Sequence, residues 1–359
     1  MDINLNVPIN GLGYGVVGYN IYNSLLQQKH NVTLWPIGNI TLPTLKHDRY
    51  GDIIPLIKND IKKQDLFNPN LPCLKIWHEN HLAERIGKGQ FIAYPFFEIS
   101  KLDDRRKSHL MSTDNIIVAS NWAKSILSDN GITKPIQVAP CGVDRSLFNE
   151  SLNQINTKQC IFFNCGKWEI RKGHDILILA FKEAFKDDEN VALWMMPHNP
   201  FINEEDKYKW HRHYDDRRVT IIDRVQDQLE LAEIMGKTFC GVFPSRAEGW
   251  NLELLEMMSC GKHVIATNYS AHTEFCTKEN CYLIEIDEEE PMYDGKWFFQ
   301  KDGVWASIKE NAFDQLVHGF RDMYHIWENQ PDLLNHEGIE TAKRFSWDNC
   351  VNNILGVIE

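Results

Sequence analysis

The sequence has no C-x-x-C pair, although it holds nine cysteines, at positions 73, 141, 160, 165, 240, 260, 276, 281 and 350. That absence argues against a zinc knuckle or a thioredoxin-type site. An odd, scattered set suits free thiols in a reducing cytoplasm better than a disulfide framework. No apolar run reaches the length of a bilayer span, and the opening MDINLNVPING lacks the basic flank and apolar centre of a secretory signal. A soluble, cytoplasmic protein is expected. A D-x-D pair is also missing, and His211 and His213 in HRHY lack a third ligand, so no metal site is expected. Cationic surplus is missing too: the net charge is −12. Residues 1–150 carry 16 Lys and Arg against 14 Asp and Glu, whereas the remainder carries 22 against 36. So acidic a second half speaks against general nucleic-acid binding, which needs cations for phosphates. The run Arg105-Arg106-Lys107 leaves two readings: weak peripheral contact of the N-terminal half with an anionic membrane, or a solvated helix face.

What is present is a regular alternation. At 359 residues the chain is long for a single core, so two domains are expected. Strand-like runs occur as INLNV, NVTLW, CLKIW, FIAY, IIVAS and IQVAP, then again as CIFFNCG, VALWMM, VTIID, FCGVFP, HVIAT and CYLIEI. Helical patterns fall between them, for instance YNIYNSLLQQ and SNWAKSILSDNG, where Ser120 reads as an N-cap and Gly131 as a stop. Strands alternating with helices predict parallel sheets covered on both faces, so two such series predict two doubly wound α/β domains. The polar stretch near 144–159 marks the break. After 286 the alternation gives way to an acidic loop, DEEEPMYDG, an aromatic segment, KWFFQKDGVW, and a helical tail.

Three segments could carry chemistry. Gly11 to Gly18, GLGYGVVG, contains G-x-G-x-x-G at Gly13, Gly15 and Gly18. A dinucleotide site would also want an acid near the end of the second strand, and TLWPIGN has none. A tight strand-to-helix turn and an anion-tolerant loop both remain open. In NCGKWEIRKGHDILILAF, Lys167 and Lys172 flank a turn after Gly166, at the carboxyl end of a strand. They form either a solvated turn or a diphosphate clamp. In SRAEGWNLELLEMMSCGKHVIAT, Glu248 precedes a helix and Glu256 lies one turn inside it. Two carboxylates there could simply favour the helix dipole, or they could accept hydrogen bonds from ligand hydroxyls while the helix amides take phosphate oxygens.

Together these segments resemble a retaining glycosyltransferase of the GT-B fold, of the group 1 or GT4 type. The E-x7-E motif of Glu248 and Glu256 carries the resemblance, supported in order by GYGVVGYNIYNSLLQQKHNVTLW, VASNWAKSILSDNGITKPIQVAPCGVD and CGKWEIRKGHDILILAF. The resemblance implies two Rossmann-like domains with a cleft between them. These are an acceptor domain over 1–150 and a donor domain over 151–344, with a helix at about 345–359 packing back on the first. It implies that Lys167 and Lys172 hold the donor diphosphate, with Lys167 standing where the family usually has Arg. Glu248 would bind the transferred sugar and Glu256 the ribose. Backbone at Gly166, Gly249, Trp250, Asn251 and Leu252 would line the donor, Val225 the base, and Gly13 the phosphates. Asn251 replaces a common glycine and could add a side-chain contact to the sugar.

Many relatives carry a histidine in the first domain where this chain reads FIAYPFFEIS. Glu98, His78 and His81 are the acceptor-side candidates left. Front-face attack, with the leaving diphosphate helping to deprotonate the acceptor, is the mechanism that the resemblance implies. It needs a nucleotide sugar and an acceptor (a saccharide, a lipid-linked or a small molecule), and no cofactor. A non-catalytic sugar-nucleotide-binding subunit and a nucleotide-sugar epimerase are the rival readings. The aromatic run near 296–305 would shape specificity or merely pack the surface.

Overall fold

A computed structural model describes residues 1–41, 53–155 and 158–358. Residues 156–157 of the expected break and residue 359 of the expected terminal helix lie outside the described residues. The chain divides into two compact units: Met1–Gly142 with Phe345–Glu359, and Val143–Arg344.

In the first unit the described residues run β1 (Asp2–Val7), α1 (Gly13–Gln27), β2 (Asn31–Pro36), α2 (Ile53–Lys62), β3 (Cys73–Lys75) and β4 (Phe91–Ala93). These are followed by α3 (Asp104–Met111), β5 (Asn115–Val118), α4 (Asn121–Asp129) and β6 (Ile136–Val138). Six strands form one parallel sheet in the order β2-β1-β3-β4-β5-β6, with Ile3 beside Val32 and Leu5 beside Leu74. Ser120 caps α4 by accepting from the Ala123 amide, and Gly131 follows that helix at φ 82°. The glycine loop differs from the expectation in one respect: α1 begins at Gly13, so Gly15 and Gly18 lie in the helix rather than before it. A Cβ at Gly18 would stand 2.2 Å from the Pro8 carbonyl oxygen, and one at Gly15 would stand 2.3 Å from Asn10 Oδ1. Close packing of the helix on the strand exit accounts for both glycines. The basic run begins α3, where Arg106 pairs with Glu79 at 3.0 Å and with Asp103 at 2.9 Å. Its central cation is thus paired within the protein.

The second unit runs β7 (Cys160–Gly166), α5 (His174–Phe185), β8 (Val191–Pro197), α6 (Glu204–His213), β9 (Val219–Ile221), α7 (Gln228–Gly236), β10 (Cys240–Phe243) and α8 (Leu252–Ser259). Then come β11 (His263–Thr267), β12 (Tyr282–Ile284), β13 (Glu289–Pro291), β14 (Val304–Ala306), α9 (Glu310–Asn329) and α10 (His336–Arg344). Its sheet is parallel throughout, in the order β12-β11-β10-β7-β8-β9. The central strand β7, CIFFNCG, is buried along almost its whole length, as a strand covered on both faces must be. Phe162 on it meets Phe320 at 4.8 Å and Phe185 at 5.5 Å between ring centroids, joining sheet, α5 and α9 into one core. The acidic stretch expected as a loop forms instead an antiparallel pair with the end of the aromatic segment, β13 with β14, Glu290 facing Trp305. The last helix, α11 (Trp347–Leu355), belongs to the first unit. Among the described residues, no helix is long and apolar enough to cross a membrane.

Candidate functional site

A parallel sheet delivers all its strand carboxyl ends to one edge, and in open α/β sheets ligands bind at that edge. In the second unit, β7 ends there at Gly166, β8 at Pro197, β9 at Ile221, β10 at Phe243 and β11 at Thr267. The sequence-predicted Gly166, Lys167, Lys172, Val225, Glu248, Gly249, Trp250, Asn251 and Leu252 all lie in the segments that leave those ends, and Glu256 lies in α8. The structure gathers them on one edge.

Glu248 is buried, 4% exposed, and its carboxylate is nearly saturated. Oε1 accepts from Lys172 Nζ at 2.9 Å and from Ser245 Oγ at 2.8 Å, while Oε2 accepts from Arg171 at 2.8 Å. Burial alone would raise its pKa, but Arg171 and Lys172 outweigh that and hold the carboxyl well below the usual range. Burial disfavours the Lys172 ammonium as well, yet Glu248 more than reverses this and raises its pKa. One lone pair on Oε2 and two N–H donors on Lys172 are left by these contacts. Gly166 is explained by the same cluster. It lies at φ 132°, and a Cβ there would stand 2.9 Å from Lys172 Cε.

Sequence reasoning missed the rest of this network. Arg171 also pairs with Glu169 at 2.8 Å. Arg246 grips Asp175 through two bonds of 2.8 and 2.9 Å, reaches Glu290 on β13 at 3.2 Å and donates to the Ile170 carbonyl. Thus β13 is tied to the turn that carries Arg171 and Lys172. Lys167 has a different setting: it is half-buried, with its Nζ 5.4 Å from the centre of the Phe201 ring.

Glu256 is the counterpart of Glu248 in type and its opposite in environment. It is 7% exposed, and its carboxylate has no hydrogen bond or ion pair to another described residue. Burial, with the nearby Glu253 adding to it, pushes its carboxyl well above the usual range. Asn251 caps α8 in a left-handed conformation, φ 85°, its Oδ1 accepting from the Leu254 amide at 3.3 Å. Its Nδ2 donates to His272 Nε2 at 2.9 Å, so the side chain expected to reach a sugar is committed at both ends. His272 and His174 are both fully buried histidines that the sequence did not single out. Burial pushes His272 down to about 4 and His174 to about 3, so both are neutral. His174 bridges Asn164 Oδ1 on β7, 2.9 Å away, and the Glu169 amide, which fixes the turn between them.

The remaining candidates lie in the first unit. Tyr14, one residue after Gly13, hydrogen-bonds both the carbonyl and the amide of Phe96, at 2.7 and 3.0 Å. Its ring lies 4.6 Å from that of the exposed His78 and 5.5 Å from Trp77. Glu98 is half-buried two residues beyond Phe96. His81 is exposed, and its Nδ1 lies 3.2 Å from Asn80 Oδ1. His213, of the HRHY pair, engages the Asp175 carbonyl at 2.8 Å.

Residues 159–295, a stretch that includes both glutamates, match the family described as Glycosyl transferases group 1. An uncharacterized glycosyltransferase of Methanocaldococcus jannaschii is 27% identical over 253 residues, which is 69% of this chain and only 60% of that relative. The fold is shared with sucrose-phosphate synthase from Thermosynechococcus elongatus, at a TM-score of 0.70 and 15% identity over 99% of this chain and 98% of that one. It is shared with the trehalose-6-phosphate protein from E. coli bound with UDP-2-fluoro glucose, at 0.68 and 9% over 100% and 99%. It is also shared with Anabaena HepE in complex with UDP and glucose, at 0.66 and 12% over 99% of each chain. At such identities these structures speak for architecture alone, two Rossmann-like halves with parallel sheets. The chain thus shares the GT-B fold of these structures, and its 159–295 segment is similar to the group 1 glycosyltransferases.

Proposed function

We propose that the protein transfers a sugar, of hexose type, from a nucleoside-diphosphate donor to an acceptor hydroxyl with retention of configuration. Glu256 carries this reading. An interior carboxylate without a partner among the described residues, one turn into a helix, is costly unless something else hydrogen-bonds it. Vicinal ribose hydroxyls supply the two donors that such a group accepts. The amides at the start of α8, over Gly249 to Leu252, receive phosphate oxygens together with Lys167 and the spare donors of Lys172. Val225 backs the base. Glu248 holds Lys172 and Arg171 in place and offers its remaining lone pair to the transferred sugar.

The acceptor oxygen forms the new bond to the anomeric carbon as the bond to the diphosphate breaks, and the acceptor proton passes to the departing diphosphate. The lysines offset the charge that develops there, so the scheme needs neither metal nor cofactor. Nine buried, free cysteines suit a cytoplasmic site of action. Tyr14, Trp77, His78 and Glu98 offer rings and polar groups for an acceptor of saccharide, lipid-linked or small-molecule type.

The test is a binding screen against UDP-, GDP- and ADP-sugars with Glu256→Ala in parallel. UDP-sugars come first because HepE and the E. coli protein were solved with uridine nucleotides. Selective binding, weakened about tenfold or more in the variant, is expected from loss of a charge-assisted pair of hydrogen bonds. No binding by the folded native protein would sink the donor-site assignment. The absence of histidine from FIAYPFFEIS favours one rival, a non-catalytic binding subunit. Acceptor-dependent release of nucleoside diphosphate separates the two, and sugar interconversion without transfer would identify an epimerase.

A further inference from the structure

The segment 267–272 grips the loop 245–251 at three evenly spaced places. Thr267 Oγ1 donates to the Ser245 carbonyl at 2.6 Å. At Glu248, the backbone amide donates to Ser270 Oγ at 2.8 Å, and the carbonyl accepts from the Ala271 amide at 3.3 Å. The third grip is His272 on Asn251. Two non-glycine residues with left-handed backbones, Asn251 at φ 85° and Ser270 at φ 53°, belong to this clamp, one on each segment. Such a conformation is strained at a residue with a Cβ and persists only where neighbours enforce it.

The hydrogen-bond directions fix one another. Asn251 Oδ1 takes the Leu254 amide, so its Nδ2 must face His272. His272 Nε2 is therefore bare, and its Nδ1 carries the proton donated to the Thr267 carbonyl at 3.0 Å. We propose that His272 is a positioning residue for the donor site: through Asn251 it holds the amides of the α8 N-terminus in the orientation that receives phosphate. The proposal rests on the donor-site reading above. His272 never touches the ligand, and the geometry it imposes exists without one.

The experiment therefore has a ligand-free arm and a ligand arm, each run on the full chain. His272→Gln reproduces the Nε2 acceptor, whereas His272→Asn reaches only the Thr267 side. Amide hydrogen exchange at Leu254 is expected to speed up about tenfold in H272N and to stay near native in H272Q, as for loss of one buried neutral hydrogen bond. Affinity for whichever of UDP, GDP and ADP the native protein binds should fall by a similar factor in H272N alone. In an Asn251→Gly background, where glycine adopts the backbone conformation unaided, H272N should add no further loss.

Equal effects of the two substitutions, or an undiminished H272N effect in the N251G background, would overturn the proposal and leave His272 a core-packing residue. Should H272N not fold, Asn251→Asp at pH 8 carries the test. It sets an oxygen against bare Nε2 and should loosen α8, while N251D with H272Q should recover because a glutamine amide can turn to donate. Equal loosening in both would again overturn it. If exchange follows the proposal but no nucleoside diphosphate binds, the positioning stands and the donor site falls.

Discussion

Glu248 and Glu256 are one residue type, eight positions apart in sequence, and their surroundings drive them in opposite directions. The cations around Glu248 depress its pKa, so its stabilising contribution is complete above the ordinary carboxylate value and is lost only as pH falls toward the depressed one. For Glu256 the sign is reversed. Its pKa is raised by burial and by Glu253, so ionising it costs stability as pH rises through the ordinary carboxylate value and above. A ligand that donates hydrogen bonds to this carboxylate favours the charged form and pulls the pKa down again. Nucleoside diphosphate binding should therefore release protons from Glu256 at pH values between the two pKa values. Calorimetry in buffers of different ionisation enthalpy checks this. Proton release in the native protein that vanishes in Glu256→Gln is expected, and equal release in both would remove Glu256 from the site.

Elements were legible in the sequence where pattern is local, and partners were not. The twelve parallel strands among the described residues coincide with the runs read from the sequence, most plainly where a strand such as β7 is covered on both faces and has to be apolar along its length. The residues that tune the site meet across long separations: Arg171 with Glu248 over 77 residues, Arg246 with Asp175 over 71, Asn251 with His272 over 21. No periodicity encodes such meetings. The β13–β14 pair was hidden for another reason, since EEP and VWA are too short and too polar or too mixed to read as strands. The glycine loop shows the limit from the other side, because one motif contains glycines with different reasons to be there. Gly18→Ala would drive a methyl group into the Pro8 carbonyl and should lower stability by about 1–3 kcal/mol, as overpacking does. Gly13→Ala meets nothing within 4 Å and should leave thermal stability unchanged or slightly raised. If Gly13→Ala nonetheless loses the proposed transferase activity, the backbone there serves a ligand; if it does not, the motif is a packing device throughout.

At the scale of the whole molecule, the chain leaves the first unit at Gly142 and re-enters it at Phe345, so that unit is closed by residues from both ends of the sequence. Helix α11 buries Trp347, Cys350, Val351 and Ile354. Asp348 accepts a 2.5 Å hydrogen bond from Ser24 of α1, and Gln90 donates to the Val357 carbonyl at 3.0 Å. Gly142 passes so near this helix that a Cβ would stand 2.2 Å from the Trp347 nitrogen, which fixes where the chain crosses its own terminus. Burying four such side chains is worth at least about 5 kcal/mol at ordinary transfer values, comparable with the entire stability of many domains. The second unit has its own core around β7, α5 and α9. Truncation after Arg344 should therefore speed hydrogen exchange throughout α1 and β4 by orders of magnitude while β7, β10 and α8 keep their native protection. Were both units to lose protection together, the two cores would have to be one cooperative body, and the final helix would stabilise the sheet of the second unit as much as the sheet it covers.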